Sequence, residues 1–128
     1  MKKNKNLTII VVEDNLFYQQ LIAKQLESIS STIHLFTSGE DCMKELNRCK
    51  PDLIVLDNNL GGVMTGLDTL KAIRLAEPNV QIVLFSSEFG LNTMENLSLY
   101  GVFEYVQKND VGFKNLKDRI LEMQIVGS

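Results

Sequence analysis

Five polar or charged residues stand at or just beyond the ends of short apolar runs of the chain. Glu13 and Asp14 follow the first run, Asp57 the third, Ser86 the fourth and Lys108 the fifth. Carboxylates that are held close together repel one another, so three of them at one place favour a bound cation. Oxygen ligands without histidine or cysteine suit Mg²⁺, or Mn²⁺ in its place.

A lysine and a serine beside such a cation would complete a site for phosphoryl chemistry. Lys108 adds a positive charge that can pair with a carboxylate or with a phosphoryl oxygen, and Ser86 adds a hydroxyl donor. Positioning and charge stabilisation are most of what phosphoryl transfer requires. Asp57 is the natural nucleophile, because carboxylates can form acyl phosphates.

Each of these residues also has an ordinary structural explanation when it is taken alone. Asp14 and Asn15 together are typical of a helix cap, and Asp57 with the asparagines after it is typical of Asx turns. Ser86 can cap the next helix, and Lys108 can be a solvated surface lysine. Their coincidence at the ends of separate apolar runs favours a site.

The apolar runs alternate along the chain with segments of helical periodicity. Short apolar runs rich in β-branched residues predict strands, here at 7–12, 32–36, 53–56, 80–85 and 102–106, and those without charge are typical of strands buried on both faces. Apolar residues at helical spacing predict helices at about 17–26, 38–48, 67–75, 91–100 and 113–123. This alternation predicts an α/β fold, a doubly wound five-stranded parallel sheet with helices on both faces. Ligands of such sheets bind beyond the carboxyl ends of the strands, where the five residues would meet.

Length and charge exclude several classes of protein. A chain of 128 residues is the size of one domain, predicted here at 7–126 after a flexible N-terminus at 1–6. A net charge of −3 argues against a nucleic-acid partner. The first apolar run is too short for an export signal or a membrane span, so we expect a cytoplasmic protein without a membrane partner. Cys42 and Cys49, seven residues apart, are expected to be reduced, buried thiols.

Four segments of the sequence resemble the receiver domains of two-component response regulators, and the resemblance covers about residues 7–125. The matching segments are Ile-Ile-Val-Val-Glu-Asp-Asn at 9–15, Asp-Leu-Ile-Val-Leu-Asp at 52–57, Val-Leu-Phe-Ser-Ser at 83–87 and Tyr-Val-Gln-Lys at 105–108. The chain is most similar to the single-domain type, such as the chemotaxis response regulator. The resemblance implies the flavodoxin-like receiver fold of the CheY-like superfamily, with strand order 2-1-3-4-5.

The resemblance also implies a role for each residue of the acidic cluster. Asp57 would accept a phosphoryl group from a histidine kinase or a histidine phosphotransfer protein. Asp14 and Asp57 would ligate Mg²⁺ directly, Glu13 through water, and Asn59 through its backbone carbonyl. Lys108 would bind a phosphoryl oxygen.

The same resemblance implies a switch rather than an enzyme, one that assists its own phosphorylation and dephosphorylation. Ser86 would move toward the phosphoryl group, and Tyr105 would turn inward into the vacated space. A downstream protein would bind the surface formed by the fourth helix, the fifth strand and the fifth helix. Because the receiver fills nearly all of the chain, we expect output through another protein, unless the chain is a receiver excised from a longer one.

The sequence departs from the family pattern at several positions near the expected site. Asn109 replaces the usual proline with its cis bond, so we expect the loop after Lys108 to differ in shape. The loop 61–66 holds one extra residue, and Ser87 stands where alanine is common. None of these changes removes a chemical group from the site.

Two further polar residues occupy positions at which the family tunes the access of hydrolytic water. Asn59 lies two residues beyond Asp57, and Glu88 lies two residues beyond Ser86. From this polar pair we expect fairly rapid dephosphorylation.

Three other functions can be weighed against the switch. The alternative is a degenerate receiver that binds proteins independently of phosphorylation. Loss of an acid of the pair at 13–14, of Asp57 or of Lys108 would favour it, and none of these residues is lost. An aspartyl-phosphate hydrolase would place its nucleophile after the first strand, with a second aspartate two residues later. Here Asn59, and not a second aspartate, stands two residues after Asp57, so the sequence does not support the general-acid step of a hydrolase. A flavin carrier needs a phosphate-binding loop after the first strand, where Glu13 and Asp14 would repel phosphate.

Overall fold

The computed structural model describes residues 7–30, 32–86, 99–102 and 104–122 of the chain. Five parallel strands form one sheet: β1 (Thr8–Val12), β2 (Thr32–Phe36), β3 (Leu53–Asp57), β4 (Gln81–Ser86) and β5 (Glu104–Gln107). The described helices are α1 (Leu16–Leu26), α2 (Gly39–Cys49), α3 (Gly66–Ala76) and α4 (Asp110–Glu122). The strand order β2-β1-β3-β4-β5 confirms the predicted doubly wound fold.

Some predictions fall on parts of the chain outside the described residues. They include the N-terminus at 1–6, most of the predicted helix at 91–100, and the residues Ser87, Glu88 and Phe103. The C-terminal helix, predicted as the fifth, is therefore α4 here. It begins at Asp110, three residues before the first predicted apolar position.

Both faces of the sheet are buried, which explains why its central strands are continuous apolar runs. Successive side chains of a strand point to opposite faces. One face packs against α1 and α4, through Ile9, Val11, Val55, Phe85, Ile22, Leu26, Leu116 and Ile120. The other face packs against α2 and α3, through Ile10, Val12, Ile54, Leu84, Cys42, Leu46, Leu70 and Ile73.

Side-chain caps start three of the helices. The carboxamide oxygen of Asn15 accepts a hydrogen bond from the Tyr18 backbone N–H at 3.1 Å, as predicted from the sequence. Ser38 caps α2 in the same way, and Thr65 forms a reciprocal capping box at the start of α3. The α1 cap matters most for function, because it fixes the start of α1 directly after Glu13 and Asp14, the two acidic residues that follow β1.

Three apolar helix residues that the periodicity predicted to face the protein core are instead exposed to solvent. Phe17 and Leu21 of α1 and Leu75 of α3 face solvent. In α1 the buried face instead includes Gln19, whose amide donates to the backbone carbonyls of Glu13 and Phe36. The amide thereby adds hydrogen bonds to carbonyls at the ends of β1 and β2 that an apolar side chain could not supply.

The two cysteines of α2 are free thiols, as predicted. Burial raises the pKa of Cys42 to about 12, so this thiol is not a nucleophile at neutral pH. Cys49 is half-buried rather than buried. Along the described part of the chain, no helix is long and apolar enough to cross a membrane.

Candidate functional site

The carboxyl ends of β1, β3 and β5 bring four of the predicted residues into contact. One carboxylate oxygen from each of Glu13, Asp14 and Asp57 lies within 4.8 Å of the others. The Lys108 Nζ lies 3.0 Å from Glu13 Oε1 and 3.0 Å from Asp57 Oδ1. These contacts exclude the surface-lysine explanation, since the Lys108 side chain is only 7% exposed.

Burial and like charge perturb the acid at the end of β1. Glu13 is fully buried, and this burial together with the charge of Asp57 raises the pKa of Glu13 to about 7. Hydrogen bonds from Lys108 and from the Asn15 backbone oppose the shift without cancelling it. Burial alone would lower the pKa of Lys108, but its bonds and charge interactions with the two carboxylates raise it instead.

The two oxygens of Asp57 have different surroundings. Oδ1 contacts Lys108 and accepts a hydrogen bond from the Asn59 backbone N–H at 2.8 Å. Oδ2 is buried and has no hydrogen-bond partner among the residues described. Buried polar atoms usually have hydrogen-bond partners, so Oδ2 is the oxygen of Asp57 that has capacity left for a ligand or a reacting group.

Carboxylates also hold the loop between β3 and α3. Asp14 Oδ2 accepts from the Gly61 N–H at 3.0 Å, and Glu40 Oε2 accepts from the Met64 N–H at 3.3 Å. Glu40 was not among the predicted site residues, because its contact with Met64 joins residues 24 positions apart and no local spacing in α2 predicts it. The loop is thus tied both to the acidic cluster and to the first turn of α2.

Ser86 and Tyr105 lie beside the acidic cluster and contact each other. The fully buried Ser86 hydroxyl lies 3.3 Å from Asn59 Oδ1 and donates a hydrogen bond to it. Burial raises the pKa of the half-buried Tyr105 phenol, and a side-chain hydrogen bond with Ser86 lowers it in part. The structure therefore brings the two predicted switch residues together, and it connects them to the loop after Asp57.

Lys108 has one neighbour that the sequence analysis missed. Its Nζ lies over the ring of Tyr18, 5.1 Å from the ring centroid. Beyond Lys108, the Asn109 N–H donates to the Gln107 carbonyl at 2.9 Å, and no described peptide bond is cis. The Lys108 N–H donates to the Ser86 carbonyl at 2.7 Å, which secures the lysine to the end of β4.

The donor set fits a hard divalent cation. Three carboxylates from two strand ends outnumber the one lysine between them, and the pKa of Glu13 is raised first by burial and then by the charge of Asp57. Glu13, Asp14 and Asp57 are thus the residues that could hold a metal ion, and oxygen-only ligands favour Mg²⁺.

The profile of the response regulator receiver domain matches residues 9–121. A protein-glutamate methylesterase/protein-glutamine glutaminase of Clostridium acetobutylicum is 34% identical over 125 residues, covering 92% of this chain and 36% of that protein. The regulatory protein LuxO of Vibrio cholerae is 30% identical over 98 residues, covering 77% of this chain and 21% of LuxO. This chain thus spans only about a third or less of these relatives.

A solved structure of similar fold is the Vibrio cholerae chemotaxis protein CheY4. It superimposes with a TM-score of 0.83 at 17% identity and covers 94% of this chain and 100% of that one. This likeness shows the fold. Because the family profile runs from the first strand to the last helix, the chain belongs to the receiver domain family of two-component response regulators.

Proposed function

We propose that the protein is a phosphorylation-dependent switch in which Asp57 is the phosphoacceptor. The observation that carries the proposal is the asymmetry of this carboxylate. Oδ1 is held by Lys108 and by the Asn59 backbone, while Oδ2 is buried without a hydrogen-bond partner among the described residues. A nucleophile needs an oxygen that is fixed in place and not already engaged in a hydrogen bond, and Oδ2 meets that requirement among the described residues.

The phosphodonor would be a phosphohistidine of a histidine kinase or of a histidine phosphotransfer protein. Oδ2 of Asp57 forms the new P–O bond, the P–N bond to the donor imidazole breaks, and the imidazole leaves with the electron pair. The Lys108 ammonium faces the charge that the phosphoryl oxygens carry during this transfer. Later transfer of the phosphoryl group from Asp57 to water would restore the free carboxylate.

A bound Mg²⁺ (or Mn²⁺) would neutralise charge on the phosphoryl oxygens and on the acidic cluster. Asp14 and Asp57 would bind the ion directly, Glu13 through water, and Asn59 through its backbone carbonyl. Asp14 is suited to this role because it is exposed, and only one of its carboxylate oxygens is known to be engaged, by Gly61.

Switching would use the hydrogen bonds that Ser86 makes in the structure. Ser86 would leave Asn59 for the phosphoryl group, and Tyr105 would follow into the space beside it. A new charge at one site would thereby bias a two-state element. The expected output surface joins the predicted helix at 91–100 with β5 and α4, where a downstream protein would bind.

Asn59 and Glu88 would tune the lifetime of the phosphorylated state. Asn59 is exposed beside Asp57, so a polar side chain there can orient water. We expect the double variant Asn59→Leu, Glu88→Leu to hold its phosphoryl group several-fold longer than the wild type. An unchanged lifetime of phospho-Asp57, followed by intact mass after removal of the donor, would remove this role.

The proposed function is tested by incubating the protein with Mg²⁺ and acetyl phosphate and measuring its intact mass. We expect the mass of one phosphoryl group to be gained by the wild type and by Asp41→Asn, a control at an exposed acid of α2. The Asp57→Asn variant should gain none. No gain in the wild type, with acetyl phosphate or with a phosphohistidine donor, would favour the alternative, a phosphorylation-independent binding module. Continuous release of phosphate over many turnovers would favour a hydrolase.

A further inference from the structure

The ammonium group of Lys108 has an aromatic neighbour in addition to its two carboxylates. Glu13 Oε1 and Asp57 Oδ1 each lie 3.0 Å from Nζ, and the Tyr18 ring centroid lies 5.1 Å away. An ammonium within about 6 Å of a ring face is attracted by the negative face of the ring. The contact is partly shielded from water, because the Lys108 side chain is nearly buried and Tyr18 is half-buried.

The start of α1 determines where Tyr18 lies. The Asn15 N–H donates to Glu13 Oε2 at 3.0 Å, and the Asn15 side chain accepts from the Tyr18 N–H at 3.1 Å. The Tyr18 ring then contacts Lys108, and Lys108 contacts Glu13. These four residues form a closed ring of contacts, so the helix cap and the site lysine support each other.

A ring suits this position for a chemical reason. The lysine ammonium is a point charge on a flexible four-carbon stem, so its position depends on what surrounds it. A fourth carboxylate, in place of Tyr18, would add negative charge to a cluster that already has an excess. An aromatic face attracts the ammonium without adding a charge, and it is a poor ligand for a hard cation.

We propose that Tyr18 is a positioning residue of the site, whose ring holds the Lys108 ammonium against Asp57 for phosphoryl transfer. The role rests on the proposed function, since it concerns the rate of that transfer. The contact that carries this role joins the Tyr18 ring to Lys108, so Tyr18 acts on Asp57 through Lys108. The role uses the face of the ring rather than the hydroxyl, which separates it from that of an acid or base.

The placement of the ring is tested first, by NMR and without phosphorylation. Protons close to an aromatic face are shifted upfield by the ring current, so the Lys108 ε-CH₂ signals should be displaced in the wild type. We expect the displacement to persist in Tyr18→Phe and to vanish in Tyr18→Leu. The Leu16→Ala variant is the matched control, since Leu16 belongs to the same turn and is 64% exposed.

The role is then tested by the rate constant for Asp57 phosphorylation by acetyl phosphate at saturating Mg²⁺. A cation–π contact of ordinary strength corresponds to a loss of about three- to tenfold in Tyr18→Leu. Tyr18→Phe and Leu16→Ala should stay within about twofold of the wild type, the difference of a few tenths of a kcal/mol. Tyr18→Met provides a second ring-free variant of similar length if the leucine variant does not fold.

The outcomes separate this inference from the function on which it rests. Equal rates in the Leu, Met and Phe variants, or undisplaced Lys108 signals in the wild type, would overturn the role of Tyr18 while leaving the phosphoacceptor intact. A wild-type chain that takes no phosphoryl group would instead contradict the proposed function.

Discussion

At the residue scale, the site is defined by an imbalance of charge. Glu13 and Asp57 are both buried, Asp14 stands beside them, and Lys108 supplies the only cation in contact with the buried pair among the described residues. The pKa of Glu13, raised to about 7, shows that one ammonium does not offset burial and the neighbouring carboxylate. Such a cluster is costly to the folded state until a cation or a proton joins it.

This imbalance predicts how Glu13 affects stability at different pH. A carboxyl group whose pKa is about 7 in the folded state and about 4.5 in the unfolded state keeps its proton only when folded, so its ionisation destabilises the fold as pH rises across that window. We expect the change in the free energy of unfolding caused by Glu13→Gln to be about 2 kcal/mol more stabilising at pH 8 than at pH 4.5. Urea unfolding of both proteins at the two pH values, without divalent cations, measures this difference. A stability difference that is independent of pH would contradict the assignment.

At the element scale, the loop between β3 and α3 is positioned by contacts that leave no room for a side chain at its end. A Cβ on Gly66 would lie 2.5 Å from the Asn58 carbonyl oxygen, directly after Asp57. By contrast, a Cβ on Gly62 would meet only the Glu40 carboxylate, at 3.7 Å. Gly66 is therefore required by the close approach of the Asn58 backbone, whereas Gly62 is not.

We predict that Gly66→Ala destabilises the protein by about 1–3 kcal/mol, because the backbone on both sides must shift. Gly62→Ala should change the free energy of unfolding by less than about 0.5 kcal/mol. Urea unfolding monitored by circular dichroism compares the two alanine variants directly. Equal stabilities would show that the α3 start can move away from Asn58 at little cost.

A second element-scale contact ties α3 to the segment that enters β5. The Arg74 guanidinium donates hydrogen bonds to the backbone carbonyls of Glu77, Pro78, Val80, Tyr100 and Gly101. Burial lowers the pKa of Arg74, since this side chain has carbonyls but no carboxylate among these partners. One planar donor group thus closes the C-terminal end of α3 and fixes the turn at Gly101, whose φ is +64°.

Loss of this guanidinium should destabilise the fold. We expect Arg74→Ala to cost about 2 kcal/mol and Arg74→Lys to recover only part of it, because an ammonium cannot reach five carbonyls at once. The control is Arg48→Ala, which removes an exposed arginine paired with Glu45 and should cost less than about 1 kcal/mol. Thermal unfolding of the three variants gives the comparison. Full recovery by lysine would show that charge alone matters at this position.

At the scale of the whole molecule, a two-faced core supports a charged edge. Helices bury both sides of the sheet, and the acids, Ser86 and Lys108 lie where its strands end. The stability of the core allows the edge to carry unfavourable charge. A cation that binds only the folded state should therefore raise the stability of the whole domain.

We predict that Mg²⁺ increases the free energy of unfolding by on the order of 2–3 kcal/mol at about a hundredfold excess over its dissociation constant. The Asp14→Asn variant should show little of this increase, whereas the surface variant Asp41→Asn should show all of it. Thermal unfolding at several Mg²⁺ concentrations measures the effect, and Ca²⁺ at equal ionic strength tests for selectivity. An equal response in both variants would place the ion elsewhere.

The sequence by itself determined the fold class and the members of the acidic cluster. Both depend on local patterns: buried parallel strands are apolar runs, and the residue after each run lies at the carboxyl edge of the sheet. Glu13, Asp14, Asp57 and Lys108 could therefore be grouped before any distance was known. The helix cap at Asn15 was predictable for the same reason, since a cap is a contact between near neighbours in sequence.

Only the tertiary structure decided how these groups face one another. Periodicity placed Phe17 and Leu75 in the core, but the angle at which each helix lies on the sheet exposes them and buries Gln19. The same non-local geometry puts the Tyr18 ring over Lys108 and leaves one oxygen of Asp57 without a partner among the described residues. Such contacts join elements that are distant in sequence, so no local pattern of residue types specifies them.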